Sequence, residues 1–267
     1  EFITAQLRGS SANYSAVNTQ YSQISNIDDL LSTSTTSLST SIQSFFTNVS
    51  NVVSNASDPS ARQSMLSYAQ GLVNQFQTTS QYLTSMQNSV NTDVSSSVDQ
   101  INTFTSQIAN LNTQISKLTS SDGSAPNDLL DQRDQLVNSL NNVVGVTVSK
   151  QDGNYIVSMG STTLVNGKNT TQLVAMPSSS DPSRVTVGYV DKLAGNVEIP
   201  EKTLTTGSLG GLLAFRTQDL DTAQNQLGQL AAAFTTSFNA VQTAGYDSNG
   251  NKGSDFFTIG SPTVLSN

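Results

Sequence analysis

Between Pro59 and Pro126 the sequence carries no proline, and over that stretch its apolar residues keep largely to steps of three and four. Proline removes a backbone donor and clashes with the preceding turn, so its absence leaves a helix free to run. Met65, Ala69, Leu72, Phe76, Leu83, Met86, Val90 and Val94 continue as Val98, Ile101, Phe104, Ile108, Leu111, Ile115 and Leu118. From Ile101 onward the steps alternate strictly, which is the spacing of a heptad seam. One helix of ~60 residues, about 90 Å at ~1.5 Å per residue, is therefore expected over 60–122, with Gly71 or Thr78 as its weakest points. Asp58 as N-cap and Pro59 at the first helical position start it. The turn residues Ser120, Ser121, Asp122, Gly123 and Ser124 end it.

The flanking segments follow the same logic. Phe2, Ile3 and Leu7 already read as helix. From Tyr14 a stripe runs through Val17, Tyr21, Ile24, Leu31, Leu38, Ile42, Phe45, Val49 and Val52, with polar gaps at Asp28 and Thr35. Such a stripe suits a helix packed in a bundle or against other subunits, and 55–58 is its closing turn. Pro126, Asn127 and Asp128 start a shorter helix carrying Leu129, Leu136, Val137, Leu140 and Val143. Three helices in sequence imply an antiparallel arrangement.

After Val144 and Gly145 the period changes to alternation. Val146 and Val148, the turn Asp152-Gly153, then Tyr155 and Val157 make a β-hairpin signal. Further short strands are expected at 164–165, 173–176, 185–190 and 197–199, separated by Asn166-Gly167, by 177–182 and by Ala194-Gly195. Helical spacing resumes after Gly207 with Leu212, Leu213, Phe215, Leu220, Leu227, Leu230, Phe234, Phe238 and Val241. The expected fold is mainly α with inserted β: a long-helix bundle over 1–142 and 207–245, interrupted by a small antiparallel β-module at 143–206. Residues 246–267, including Phe256, Phe257 and Pro262, read as the start of a further module cut short. The chain opens at Glu1 inside a helix and stops at Asn267 without a terminator, so it is expected to be a fragment.

Composition narrows function by exclusion. Charged residues make up 11% of the chain, against roughly 25% in an ordinary domain, and Ser, Thr, Asn and Gln replace them. A net charge of -8 offers no cationic footprint for nucleic acid or an anionic membrane surface. No stretch approaches the ~20 apolar residues that span a bilayer. Neither Cys nor His is present, which removes disulfides, thiolate sites, the commonest general base and the commonest transition-metal ligands. No enzyme, no cofactor and no metal site is expected, and no catalytic residue is assigned.

Three local patterns have a chemical reading beside a structural one. Asp247 to Asn251 resembles the start of a calcium loop, but Lys252 stands where the sharp-turn Gly belongs and Thr258 where the bidentate Glu belongs, so a turn is expected. Gly207 to Gly211 precedes a helix as phosphate loops do, yet it lacks their Lys-Ser/Thr and spacing, and close backbone packing is expected instead. Asp128, Asp131, Arg133 and Asp134 form the densest charge cluster. Paired carboxylates can act as acid and base, but acidic residues in a first helical turn are what the helix dipole favours. An enzyme using Asp128 and Asp131 would lose turnover on substitution of either by Asn, whereas a structural protein has none to lose.

Several segments carry a resemblance. Residues 1–8 (EFITAQLR), 58–62 (DPSAR), 71–76 (GLVNQF), 127–136 (NDLLDQRDQL), 207–213 (GSLGGLL) and 255–257 (DFF) are similar to the flagellar hook-associated protein 1 family, across essentially the whole chain. The resemblance implies a flagellin-like core domain in a structural junction protein between the bacterial hook and filament, secreted through the flagellar type III apparatus and acting outside the cell. It implies as partners copies of the chain in a ring-like or helical assembly, the hook protein, and the second junction protein on the filament side. An export chaperone would bind through termini absent from this chain. An extracellular adhesin with the loop 177–182 as its tip, and flagellin or the second junction protein, stand as alternatives. Individual contact residues are not assigned, Asp28 and Thr35 being the weak candidates.

Overall fold

In the computed structural model, residues 2–32, 37–122, 126–247 and 249–260 are described, with backbone alone at 29–32 and 120–122. The order of elements is α1 (Phe2–Ser32), α2 (Leu38–Ser54), α3 (Pro59–Asp122), α4 (Asn127–Val143), seven strands, α5 (Gly207–Ala214), a π-helical turn (Phe215–Leu220) and α6 (Asp221–Ala244). The strands are β1 (Thr147–Gln151), β2 (Asn154–Met159), β3 (Thr162–Asn166), β4 (Asn169–Thr170), β5 (Leu173–Pro177), β6 (Val185–Asp191) and β7 (Gly195–Glu198). α3 is a single helix of 64 residues with no break at Gly71 or Thr78. Asp58 Oδ1 accepts from the Ser60 amide at 2.8 Å, which is the cap expected at its start.

The β-rich part is two antiparallel sheets, β1-β2-β3-β4 and β5-β6-β7. The turn at Asp152 (φ 50°) and Gly153 (φ 78°) joins β1 to β2 in the conformation the Asp-Gly pair favours. The two-residue β4, paired with β3, has no apolar alternation and left no trace in the sequence pattern.

The molecule divides into two compact units that do not follow element boundaries. One joins residues up to 25 with 87–216, the other joins 26–86 with 217 onward. In the second unit Phe45 lies fully buried among Phe234, Phe238, Phe256 and Phe257, with ring centroids 5.2–6.4 Å apart. Ala69 and Leu72 of α3 complete that core. The segment after α6 has little regular structure, and its two phenylalanines enter the core because Asn239 holds their main chain. Asn239 Oδ1 accepts from both amides at 3.0 Å and Nδ2 donates to the Phe257 carbonyl at 2.7 Å.

In the first unit the expected seam of α1 is not the buried one. Tyr14, Val17 and Tyr21 are 71, 66 and 70% exposed, whereas Ala12 and Ala16 are buried. The reason is approach distance. A Cβ on Gly211 of α5 would lie 2.2 Å from the Ala16 carbonyl oxygen, and one on Gly145 would lie 2.0 Å from Thr206 Oγ1 and 3.4 Å from the Ala12 methyl. Backbones this close select the alanine face of α1, and the larger residues turn outward. The stripe is also interrupted, since α2 restarts at Leu38 with Ser37 Oγ capping the Thr40 amide. Thr35 lies outside the described residues, as do Gly123, Ser124 and Pro262.

A second correction concerns α3. Its strict alternation passes through Phe104 and Leu118, but Leu118 is 43% exposed and Phe104 is only half-buried. Ile101, Ile108, Leu111 and Ile115 of that alternation are buried, and the polar Thr105 and Asn112 are buried with them.

Two substitutions of the same kind therefore have opposite signs. Gly211→Ala forces backbone apart and is expected to cost about 1–3 kcal/mol. Gly71→Ala meets nothing within 4 Å and removes a mid-helix glycine, a gain of about 1 kcal/mol. Urea unfolding of both variants checks the pair. Acid acts on the second sheet through Glu198, whose oxygens accept from Ser178 Oγ at 3.1 Å and the Ser179 amide at 2.9 Å. Hydrogen bonds from Ser179, chiefly, hold its carboxyl below the usual range. That contribution is complete above the ordinary glutamate value and is lost as pH falls through the depressed one, so the protection of the Ser179 amide, its exchange relative to that of a free amide at the same pH, should drop there, measured by NMR.

Candidate functional site

The charge cluster at 128–134 is taken apart by the helix that carries it. Asp128 and Asp131 are exposed on α4, while Arg133 points inward at 2% exposure. The guanidinium stacks on the Tyr155 ring, 3.6 Å from its centroid. Its Nη1 donates to Asn112 Oδ1 at 2.9 Å and to the Gly153 carbonyl at 3.2 Å. Asp134 accepts from the Tyr155 hydroxyl at 2.6 Å and sits 3.8 Å from the Arg8 guanidinium of α1. Burial lowers the Arg133 pKa and raises that of the Tyr155 phenol, the latter helped by its hydrogen bond to Asp134. Arg133 and Asp134 are thus engaged in joining α1, α3, α4 and the first hairpin, while Asp128 and Asp131 remain on the exposed side of α4.

Asn112 is the centre of this joint and is fully buried. Its Nδ2 donates to the carbonyls of Tyr155 (3.0 Å) and Gly167 (2.9 Å), and its Oδ1 accepts from the Tyr155 amide at 3.1 Å as well as from Arg133. A carboxamide that meets both N–H and C=O of one residue does what a neighbouring strand does. The same device recurs along α3. Asn102 bonds the amide and carbonyl of Leu173 at 2.9 Å each. Asn91 bonds the Ser183 carbonyl and the Val185 amide, also at 2.9 Å. Asn141 of α4 completes the set, linking the Arg8 carbonyl (2.8 Å) to the Val146 amide (3.2 Å). The three amides on α3 recur about every three turns, hence on one side of the helix. That spacing was the available signal, but exposed and buried asparagines look alike in a chain so rich in them.

Arg216, at 0% exposure, ties the π-helical turn to β6 by donating to the Val185 carbonyl at 2.8 Å and pairs with Glu201. Nothing in its sequence surroundings marked it. The calcium-like segment is a turn. Asp247 Oδ1 accepts from the amides of Asn249 and Asn251 at 2.8 Å, Oδ2 accepts from the Asn251 side chain at 2.9 Å, and these bonds, led by Asn251, hold its carboxyl below the usual range. Its lone pairs are spent on its own loop. Gly207 (φ 75°) and Gly210 are buried, and a Cβ on either would lie 2.5 Å from main chain; the expected close packing accounts for them. Among the described residues there is no cluster of three or more carboxylates able to hold a metal, and no helix is long and apolar enough to cross a membrane.

The family model of the flagellar hook-associated protein FlgK helical domain matches residues 24–257. Flagellar hook-associated protein 1 of Salmonella typhimurium is 59% identical over the whole chain, and that of Escherichia coli K12 is 56% identical, the match covering 49% of each relative. The chain thus spans about half the length of these relatives. Among solved structures, the flagellar hook junction protein FlgK from Burkholderia pseudomallei superposes with a TM-score of 0.91 at 39% identity, over 97% of this chain and 47% of that one.

Truncating Asn112 to Ala strands main-chain groups of Tyr155 and Gly167 and the Arg133 guanidinium away from water. A buried polar group left without a partner costs about 1–3 kcal/mol, so the variant should lose roughly 3 kcal/mol or more. Asn112→Asp should fare no better, since it keeps the acceptor but replaces the donor that two carbonyls need. Equilibrium denaturation monitored by circular dichroism checks both.

Proposed function

The chain belongs to the family of the flagellar hook-associated protein FlgK helical domain, and from that premise we propose that it is the packing core of a structural subunit joining hook to filament, without catalysis. The observation that carries the reading is an unmet apolar stripe. Ile3, Leu7, Tyr14, Val17 and Tyr21 recur at heptad spacing along α1 and are 66–79% exposed. A weakly charged, rigidly braced chain that turns such a stripe outward is built to be covered by other protein. The solved neighbour is named a flagellar hook junction protein and the curated relatives flagellar hook-associated protein 1, which supports reading the stripe as a packing surface of the junction.

In this reading the subunit works outside the cell after type III export. It packs against copies of itself, against hook protein on one side and against the second junction protein on the other, while an export chaperone engages parts of the protein beyond this chain. Residues 143–206 serve as an insertion in the helical bundle, and 246–267 lead into a further module. Contact follows from the apolar stripe, shape and hydrogen bonding, with no cofactor, metal or catalytic residue. The adhesin alternative gains no support from its intended tip, because Ser178, Asp181 and Ser183 are tied into the loop's own bonds and to Glu198.

The test is motility in a bacterium lacking the corresponding hook-associated protein, complemented with the full-length parent of this chain. Filaments on hooks, seen by electron microscopy, are the expected result, and bare hooks despite secretion of the parent would overturn the reading. Charging the stripe with Leu7→Asp and Val17→Asp together should leave most hooks bare while secreted subunit accumulates in the medium.

A further inference from the structure

Within the first unit a groove of about 490 Å³ runs between α3 and α4. Each helix places a glutamine four residues before a leucine along it, Gln107 before Leu111 and Gln132 before Leu136, and Gln114 and Gln135 add further amides. No lining residue is ionisable. Beside it, in the first turns of α4, Asp128 and Asp131 are exposed. The groove therefore has an apolar floor, walls that donate and accept hydrogen bonds, and negative charge next to it. On its opposite face α3 uses amides in the way already described, to hold the main chain of strands.

The same unit carries a feature of matching chemistry. The β6–β7 hairpin turns through Lys192, Leu193 and Ala194, and Leu193 is 99% exposed. The turn is fixed from within, since Asp191 Oδ1 accepts from the amides of Leu193 and Ala194 at 2.8 Å each. An apolar side chain held outward on a capped turn gives up little conformational freedom on docking. Beside it stands a cation, Lys192.

We propose that the hairpin tip of one copy seats in the α3–α4 groove of the next copy. Leu193 covers Leu111 and Leu136, the glutamines bond the main chain of the tip, and Lys192 lies against Asp128 and Asp131. Tip and groove are different surfaces, so in a head-to-tail arrangement the contact repeats around a ring or along a helix. This deepens the junction reading and depends on it.

The chain has no cysteine, so within residues 1–267 the introduced cysteines are the only thiols, and the single variants report any background from elsewhere in the parent. The full-length parent carrying Leu193→Cys and Gln135→Cys is expressed in cells lacking the corresponding protein, and filament-bearing hooks are isolated, oxidised and run on a denaturing gel. A ladder of multimers that neither single variant produces is the expected result. Monomer alone from filament-bearing hooks overturns the contact and leaves the junction reading standing, whereas bare hooks with the unsubstituted parent overturn both. As a second measurement, Leu193→Asp should give at least fivefold fewer filaments per cell, and an unchanged count overturns the proposal.

Discussion

The buried amide of Asn112 is the contact on which the arrangement of the first unit turns. Helices satisfy their own backbone, and sheets satisfy theirs except at edges and ends, so a helix and a strand brought together have no main-chain reason to keep a register. Asn112, with its donor and acceptor both spent on Tyr155, supplies one. Asn102 and Asn91 repeat the contact at Leu173 and at 183–185, so one helix carries three fixed points for two sheets. Because each bond is made to main chain, the docking tolerates change in strand side chains but not in the asparagines.

Around this frame, charge is used sparingly and inside. Arg133 and Arg216 are buried almost completely, and each meets a carbonyl oxygen as well as a side-chain acceptor. Burying a guanidinium costs free energy unless its donors are satisfied, and a partnered one fixes geometry in return. The outer faces carry mainly hydroxyls and amides. Such a surface can form many short-range hydrogen bonds and exerts little long-range attraction.

The second unit reaches stability by another route, a phenylalanine cluster held together through Phe45. Seven Phe side chains, Phe76 of α3 among them, in edge-to-face, tilted and stacked contacts gather the segment after α6, which has little regular structure of its own, onto α2, α3 and α6. Asn239 again fixes the main chain there. The asparagine clamp thus recurs in a unit that has no sheet among its described residues, which makes it a habit of this chain more than a property of one site.

Most of the elements were legible in the sequence, with β4 and the π-helical turn as exceptions. A proline-free heptad run became one helix, Asp152-Gly153 became a hairpin turn, and the glycines at 207–211 became a close approach, because each depends on local backbone preference or on residue size. The family was legible too, since its segments are spread along the chain. Tertiary structure alone decided which stripe of α1 faces inward, that Thr105 and Asn112 replace Phe104 and Leu118 in the buried line of α3, and that the cluster at 128–134 is split between a buried joint and an exposed face. Periodicity reports which face of a helix is apolar. Which face is buried depends on how near a distant backbone comes and on which of its N–H and C=O groups still need a partner, and neither quantity is carried by neighbouring residues.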